Sequence, residues 1–302
     1  MNQSFHHIPV LLTQTISALK IKPNGRYIDG TVGGGGHSEA ILNASSPAGK
    51  VIAIDRDRQA IAATRKRLSH FGDRLTIHHG SFSSMSDFVD GQVDGVLLDL
   101  GVSSHQLDEP KRGFSFSNDG PVDMRMNQSQ EKTAAMLLDE ISETELADIL
   151  FQYGQEPRSR RIARKVIAGR PWHSTKELAD CIRRASGYKN SKKHPATKSF
   201  QAIRIAINDE LTQLHQGLNA AFQLVKNGGR IAIISFHSIE DKIVKQRFRK
   251  AAAIATPKDA YGHPVTAPIG RRIFPKGIDG KTNDPTNPRA RSARLRVFEK
   301  TT

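Results

Sequence analysis

The sequence predicts an α/β protein in which a doubly wound parallel sheet carries a small inserted all-α domain. In the first hundred residues, short apolar runs without alternation lie between helical segments, which is typical of parallel strands buried on both faces. About 130 residues then separate the fourth and fifth predicted strands, although a crossover needs only about a dozen. The surplus indicates an embedded module.

The first elements follow one another in the order that such a sheet requires. Helices and strands alternate, and the apolar runs are short enough to be strands. The predicted strands are 26–30, 51–55, 75–79 and 93–99, and the predicted helices are 10–19, 38–44 and 57–70.

The chain returns to the sheet near its end. A long helix over 200–224 is predicted to lead into the fifth strand, over 230–235, through the turn at 227–229. Apolar residues alternate with polar ones over 292–297, which predicts a last, half-exposed strand. The stretch 262–288 is rich in Pro and Gly, and we expect it to be irregular.

The inserted segment has helical periodicity, as in the spacing of Ile162, Val166 and Ile167. We predict an inserted helical substrate-recognition domain over 131–204, within a domain formed by 1–130 and 205–302. A chain of 302 residues suits two units, because single cores stop growing near about 250 to 300 residues.

The positive charge is confined to part of the chain. Lys and Arg number 45 against 30 Asp and Glu, which gives a net charge of +15. The net charge is zero over 1–130, +6 over 131–204 and +9 over 205–302. A basic excess restricted to the later segments favours a surface that binds phosphates, with a solvated charged face as the alternative.

Composition excludes several classes of protein. Hydrophobic residues make up 37% and charged residues 25% of the chain, which excludes collagen-like, coiled-coil and mostly disordered proteins. The single cysteine, Cys181, excludes a disulfide framework and a Cys-rich zinc site. No stretch has the length of a membrane span or the pattern of a signal peptide, so we expect a cytoplasmic protein without a membrane partner.

A glycine-rich loop between the first strand and the next helix is the first candidate site. The loop runs DGTVGGGGH from Asp29 to His37 and lies where a ligand approaches a helix N-terminus. Asp55 ends the second strand 20 residues after Gly35, where a carboxylate typically accepts hydrogen bonds from ribose hydroxyls. A flexible turn would explain the glycines alone, but the strand, loop, helix and carboxylate together predict a nucleoside-containing cofactor.

The acidic residue at the start of the loop favours S-adenosylmethionine over a dinucleotide. A dinucleotide carries a pyrophosphate, whereas S-adenosylmethionine has an ammonium and a sulfonium that Asp29 would suit. A carboxylate that only caps the loop is the other interpretation of Asp29. Two later strand ends add Phe82, which could lie against adenine or fill the core, and Asp99.

A series of motifs then gives a specific resemblance, over about residues 6–299, to the bacterial 16S ribosomal RNA (cytosine-N4)-methyltransferase family, called MraW or RsmH. The motifs are HIPVLL at 7–12, DGTVGGGGH at 29–37, AIDRD at 53–57, LLDLGVSS at 97–104, GFSF at 113–116, DMRM at 123–126, HPAT at 194–197, SFHS at 235–238 and NPRARS at 287–292.

The resemblance implies an S-adenosylmethionine-dependent class I methyltransferase of Rossmann type that modifies a cytidine in the decoding region of 16S ribosomal RNA, within the small ribosomal subunit. Val32-Gly33-Gly34 departs mildly from relatives, which often have Phe or a bulkier residue there. The family's cofactor-binding residues fall on Gly35, Gly36, His37, Asp55, Phe82, Asp99 and Gln106.

The residues themselves favour a nitrogen or oxygen as methyl acceptor. Methylation of a pyrimidine carbon requires a cysteine thiolate, and Cys181 lies on the apolar face of an inserted helix. An exocyclic amine instead needs acceptors for its N–H groups, and Asp99, Ser103 and Ser104 are the candidates. The chain lacks the Asp/Asn/Ser-Pro-Pro-aromatic tetrad of many amino-methyltransferases. Possible partners for base stacking are Phe114, Phe116 and Phe236.

Basic clusters in the insertion are the candidate RNA contacts. We predict that Arg160, Arg161, Arg164 and Lys165 bind RNA phosphates, with 189–193 as a further cluster. Trp172 could stack on a base or pack between helices.

Three other functions fit the sequence less well than methyl transfer. A nicotinamide-dependent oxidoreductase would not need a basic half, and a non-catalytic RNA-binding protein would not need the loop with Asp55. Ser235, His237 and Asp241 resemble a hydrolase triad but lie within seven residues of one another. The pairs His6-His7 and His78-His79 lack metal-ligand spacing, so we expect no metal site.

Overall fold

The computed structural model describes residues 9–188, 194–254, 261–262, 265 and 267–302. The His6-His7 pair, the start of the motif at 7–12 and the basic cluster at 189–193 lie outside the described residues. The chain forms two units, of which one comprises Met1–Gly101 with Thr212–Thr302 and the other Val102–Leu211.

The first unit is built on a seven-stranded sheet with the order β3-β2-β1-β4-β5-β7-β6. The first five strands run parallel, and β7 is antiparallel to both β5 and β6. The predicted α/β class and Rossmann-like sheet are confirmed. The strands are β1 (Arg26–Asp29), β2 (Lys50–Asp55), β3 (Leu75–His79), β4 (Val93–Asp99), β5 (Val225–Ser235), β6 (Gly270–Asp279) and β7 (Arg294–Lys300).

Helices connect the strands of the first unit and make up most of the second. Short 3₁₀ helices also occur at Ser69–Arg74, Phe82–Phe88, Pro110–Arg112 and Pro288–Ser292. The α-helices are α1 (Leu12–Leu19), α2 (Gly36–Ala44), α3 (Arg58–Arg67), α4 (Ser104–Asp108), α5 (Ala134–Glu140), α6 (Glu143–Gly154), α7 (Ser159–Ala168), α8 (Thr175–Ser186), α9 (Thr197–Asn208), α10 (Glu210–Leu224), α11 (Ser238–Ala251) and α12 (Gly280–Asn283). None of the helices in the described ranges is long and apolar enough to cross a membrane.

The predicted long helix over 200–224 is wrong, because the chain breaks at Asp209. This residue adopts a left-handed conformation with φ of 51° between α9 and α10. Asn208 fixes the break, since its side chain donates to the Met124 carbonyl at 2.7 Å and accepts from the Met126 N–H at 2.8 Å. Two hydrogen bonds of 2.7 Å from the Arg204 guanidinium to Glu210 span the same turn.

The last segment is more ordered and more buried than its sequence indicates. Strand β6 and helix α12 lie within 262–288, which was expected to be irregular. Strand β7 is buried from Leu295 to Glu299 instead of half-exposed, because it lies between β5 and β6. Its polar residues are paired, Arg296 with Asp241 and Glu299 with Arg230 and Arg271, so period-two alternation does not mark exposure here.

The helical unit begins earlier than the predicted boundary at 131. Phe114, Val122 and Met124 belong to one buried core with Leu138 and Leu150. Buried Arg112 also donates to the carbonyls of residues 125 and 126 within the unit. The segment 102–130 lacks long helical periodicity, which is why the sequence assigned it to the sheet domain, but its apolar side chains pack with the inserted helices.

Candidate active site

The glycine-rich loop forms a tight turn between β1 and α2. The Val32 N–H donates to the Ile54 carbonyl at 3.0 Å, and the Gly35 N–H donates to the Val32 carbonyl at 2.7 Å. Gly35 precedes α2 with φ of 78°, and a Cβ there would lie 2.8 Å from the Thr64 side chain. The loop therefore needs glycine both for its backbone conformation and for its approach to α3.

Asp55 holds this loop from the end of β2. Its carboxylate accepts hydrogen bonds of 2.8 Å from the N–H groups of Gly33 and Asp57, one on each oxygen. Burial raises the pKa of Asp55 to about 6, against the opposing effect of these hydrogen bonds. A carboxylate oxygen can accept more than one hydrogen bond, so Asp55 can still accept from a ligand hydroxyl.

Asp29 is fully buried at the end of β1 and caps the loop. One carboxylate oxygen accepts from the Thr31 N–H at 3.2 Å and the other from the Ser38 hydroxyl at 2.6 Å. Burial raises the pKa of Asp29 to about 6. Of the two interpretations of Asp29, the structure shows the loop-capping one directly.

Asp99 lies at the end of β4, and its carboxylate is only partly engaged. Its backbone N–H donates to the Thr31 hydroxyl at 2.6 Å, and Oδ2 lies 3.6 Å from Nδ1 of His37. Oδ1 is buried and has no hydrogen-bond partner among the described residues. Burial, followed by the charges of Asp29 and Glu240, raises the pKa of Asp99 well above its ordinary value. Asp99 thus offers a buried acceptor beside the loop.

The strand register brings these groups to one edge of the sheet. Asp29 is paired in register with Ala53 of β2 and Leu97 of β4, so the ends of these three strands are adjacent. Glu240 on α11 is buried, and its carboxylate accepts from the Phe236 N–H at 2.9 Å. Three strand-end carboxyl groups with raised pKa values, near a fourth buried carboxylate, favour a ligand that carries positive charge.

Phe82 packs within the same unit. A Cβ on Gly30 would lie 2.8 Å from its Cβ, and one on Gly217 of α10 would lie 2.4 Å from its ring. The side chain is partly buried against the core that contains Ile28, Leu98 and Leu218. The two glycines therefore make room for Phe82, which supports a packing role and leaves its predicted contact with adenine untested.

Three of the predicted catalytic and cofactor-binding residues belong to the helical unit. Ser103 and Gln106 form the capping box of α4: the Ser103 N–H donates to Gln106 Oε1 at 2.9 Å, and the Gln106 N–H donates to Ser103 Oγ at 3.3 Å. The Ser104 hydroxyl is buried without a hydrogen-bond partner in the described part of the chain. The cofactor contact implied for Gln106 stays a prediction.

The four predicted RNA-binding residues share one face of α7. Arg160, Arg161, Arg164 and Lys165 are all exposed, while Ile162 and Val166 are buried on the other face. Arg164 makes an exposed ion pair of 3.3 Å with Glu143. The face is cationic and accessible within its unit.

Trp172 and Cys181 are packing residues in the helical unit. The Trp172 ring is buried against Gly169, and its N–H donates to the Val166 carbonyl at 3.0 Å, as expected for a residue that packs between helices. Cys181 is partly buried against the same core, and burial raises the pKa of its thiol. A raised pKa disfavours the thiolate that a nucleophile needs.

The apparent hydrolase triad is not assembled. The Asp241 carboxylate accepts two hydrogen bonds from Arg296, at 2.6 and 2.9 Å. The Ser235 hydroxyl donates to the Arg294 carbonyl at 3.3 Å, and His237 caps α11. These three residues therefore have structural partners of their own.

Comparison with known proteins decides the family. A model of the MraW methylase family matches residues 4–301. The chain belongs to the MraW methylase family. It is thus an S-adenosylmethionine-dependent methyltransferase, and the predicted family, enzyme class and cofactor are confirmed.

Curated relatives agree with this assignment over nearly the whole chain. Each is called ribosomal RNA small subunit methyltransferase H. The protein of Symbiobacterium thermophilum is 44% identical over an alignment 313 residues long with its gaps, which covers 98% of this chain and 97% of the relative. The protein of Heliobacterium modesticaldum is 47% identical, with 98% and 99% covered, and that of Xanthomonas euvesicatoria is 48% identical, with 97% and 88% covered.

The candidate site in this MraW methylase fits the family's cofactor. The buried carboxyl groups of Asp29 and Glu240, with Asp99 between β4 and the loop, suit a ligand with an ammonium and a sulfonium. The sequence interpretation missed Thr31 and Glu240. Glu240 takes part in the capping box of α11 with His237, but His237 is not the Ser or Thr of the usual signature. Nothing in the sequence shows that Glu240 lies near Asp99.

Proposed function

We propose that this protein transfers a methyl group from S-adenosylmethionine to the N4 amine of a cytidine in the decoding region of 16S ribosomal RNA. The observation that carries the proposal is the 44–48% identity, over almost the full chain, to ribosomal RNA small subunit methyltransferases H. The small ribosomal subunit is the expected partner, and the cytoplasm the expected location.

The first unit would hold the cofactor. S-adenosylmethionine supplies an electrophilic methyl group on a positively charged sulfur. Asp55 would accept hydrogen bonds from the ribose hydroxyls while it holds the Gly33 N–H. Gly35 and Gly36, which the family resemblance assigns to the cofactor site, shape the loop at the start of α2. His37, in the first turn of α2, lies beside Asp99 at the end of β4. Phe82 and, in the helical unit, Gln106 complete the set that the family resemblance implies.

Asp99 would orient the amine of the substrate. An exocyclic amine has its lone pair delocalised into the ring, and an acceptor for its N–H groups aligns it for in-line attack. Oδ1 of Asp99 is buried, faces no protein donor among the described residues and belongs to a carboxyl with a raised pKa. Such a carboxylate binds a proton more readily than an ordinary one, so it also suits removal of the proton that the methylated amine loses. Ser103 and Ser104 remain further candidate acceptors.

We expect Cys181→Ala and Cys181→Ser to retain methyl transfer. No covalent adduct is needed when the acceptor is an amine, and the thiol is held in the helical core with its pKa raised. Transfer of labelled methyl from S-adenosylmethionine to 16S ribosomal RNA measures the rate, and thermal unfolding reports the cost in stability. Loss of transfer by orders of magnitude in a folded variant would indicate a ring carbon as the target.

We expect RNA binding to weaken when Arg160, Arg161, Arg164 and Lys165 are all replaced by Ala. Each phosphate contact that is lost lowers the log-log salt slope of binding by about one. Affinity for RNA at several salt concentrations, with affinity for S-adenosylmethionine as a second readout, measures the effect. The matched control is a quadruple Ala variant of four exposed cations in the first unit, Lys20, Lys50, Arg58 and Lys66. An unaltered slope in the α7 variant, or an equal change in the control, would contradict the assignment.

A further inference from the structure

A basic cleft of about 470 Å³ lies in the first unit among α11, β6 and β7. Asp241 is the carboxylate among its lining residues, and it is already paired with Arg296. The cations that line the cleft are Lys245, Arg249, Arg272, Lys276, Arg294 and Arg296. Arg296 is paired with Asp241 and Arg294 with Asp279, and the other four cations leave a positive excess that a bound anion would relieve.

We propose that this cleft binds a phosphodiester of the RNA substrate, with the neighbouring ring of Phe274 as a stacking surface for an unpaired base. The inference rests on the proposed function, because it takes RNA as the substrate. It places a contact for the RNA strand on the sheet unit, in addition to the contact predicted for α7.

The cleft contains a donor that no protein group satisfies. Nε of Arg272 is buried and has no hydrogen-bond partner in the described ranges. Burial, together with the positive charges of Arg249 and Arg296, lowers the pKa of Arg272. Within the same ranges, Lys245, Arg249 and Lys276 make no ion pair. A phosphate would satisfy the buried N–H and relieve the repulsion among these cations.

A bulge interrupts β6 and contains two residues that line the cleft, Pro275 and Lys276. The register with β7 shifts between Ile273 and Ile278, so the intervening residues bulge from the strand. Phe274 has φ of 56°, uncommon for an aromatic residue, and the residue is 46% exposed. The Arg294 guanidinium donates to the Lys276 carbonyl at 2.9 Å and holds the bulge. An exposed ring on a strained bulge next to clustered cations is the combination that binds single-stranded nucleic acid.

The position of the cleft connects it with the reaction. Asp99 is in register with Ile234 of β5, and the next β5 residue, Ser235, is in register with Arg294 of β7. Arg294 therefore lies at the same end of the sheet as Asp99. Their strands are two positions apart, which is about 10 Å at the usual strand spacing. A phosphate in the cleft would hold the strand close to the nucleotide presented to Asp99.

The test uses the full chain and a fluorescein-labelled single-stranded RNA with the decoding-region sequence. Lys245 and Lys276 are exposed, so the Lys245→Ala/Lys276→Ala double variant should fold. We expect about tenfold weaker RNA binding and a salt slope lower by about one, with unchanged affinity for S-adenosylmethionine. The control, Lys242→Ala/Lys250→Ala, removes two exposed cations of α11 that do not line the cleft. Unchanged binding in the first variant, or equal weakening in both, would overturn the proposal.

A second variant tests the stacking surface separately. Phe274→Ala should weaken binding of the same RNA about fivefold or more without altering the salt slope, and Phe274→Trp should restore it. Equal affinity of Phe274→Ala and the wild type would remove the ring from the RNA path. Methylation by the wild type separates the two hypotheses: if cytidine N4 is methylated but the cleft variants bind normally, only the cleft is wrong. If the variants lose RNA binding but no cytidine N4 is methylated, only the proposed reaction is wrong.

Discussion

Asp99→Asn should lower the rate of methyl transfer by about 10²- to 10⁴-fold, the range usual for loss of a general base. The amide keeps the size of the side chain but cannot take up a proton. The buried Oδ1 has no other partner among the described residues, so the effect should fall on transfer and not on folding. Single-turnover rates with saturating cofactor measure it.

The pH profile provides a second readout for Asp99. Burial raises the pKa of Asp99, so its proton-accepting form is lost at a higher pH than for an ordinary aspartate. The wild-type rate should rise with pH as this carboxyl ionises, and the Asn variant should lack that rise. The control is Asp94→Asn, at the other end of β4, where Asp94 pairs with Lys226 at 2.6 Å. A wild-type rate and pH profile in Asp99→Asn would contradict its role in catalysis.

Asp55→Ala should weaken S-adenosylmethionine binding by about 1.5 to 3 kcal/mol, the value of hydrogen bonds to a charged group. The dissociation constant should rise by about tenfold to 100-fold. The same carboxylate accepts the N–H groups of Gly33 and Asp57, so its removal also loosens the loop. Asp55→Asn keeps one of the two acceptor oxygens, so it loses one of these hydrogen bonds and the charge while it retains the other. Calorimetric titration with S-adenosylmethionine measures the affinity of each folded variant.

The matched control for Asp55 is Asp57→Ala, two residues later. Asp57 caps α3 by accepting from the Gln59 N–H at 2.9 Å, and its loss should cost about 1 kcal/mol of stability with little change in affinity. Because the pKa of Asp55 is about 6, the wild-type affinity should rise as pH increases through that value. Ionisation of this buried group should at the same time lower the stability of the cofactor-free protein. An unchanged dissociation constant in folded Asp55→Ala would remove Asp55 from the site.

The sheet and its acidic edge could be predicted because both depend on local signals. Uninterrupted apolar runs mark strands buried on two faces, and a strand end followed by glycines places Asp29 and the loop. Asp55 and Asp99 follow from the same rule, since the ends of parallel strands meet at one edge.

The parts that were missed depend on contacts between distant residues. The break at Asp209 is fixed by Asn208, which binds the backbone of residues more than 80 positions earlier in the chain. The sequence predicts that Arg296 is exposed because it is charged. It is buried in β7, where it pairs with Asp241. The first segment of the helical unit, 102–130, was missed because the apolar residues that it adds to the core are scattered and follow no helical period.

The most direct test of the proposed reaction is mass mapping of methylated nucleosides in 16S ribosomal RNA from cells that lack this protein. We predict that a cytidine in the decoding region loses its N4-methyl group in these cells. The modification should return with the wild-type protein and not with Asp99→Asn. An unchanged N4-methylated cytidine in cells without the protein, or loss of a methyl group from a ring carbon or from another nucleotide, would contradict the proposed function.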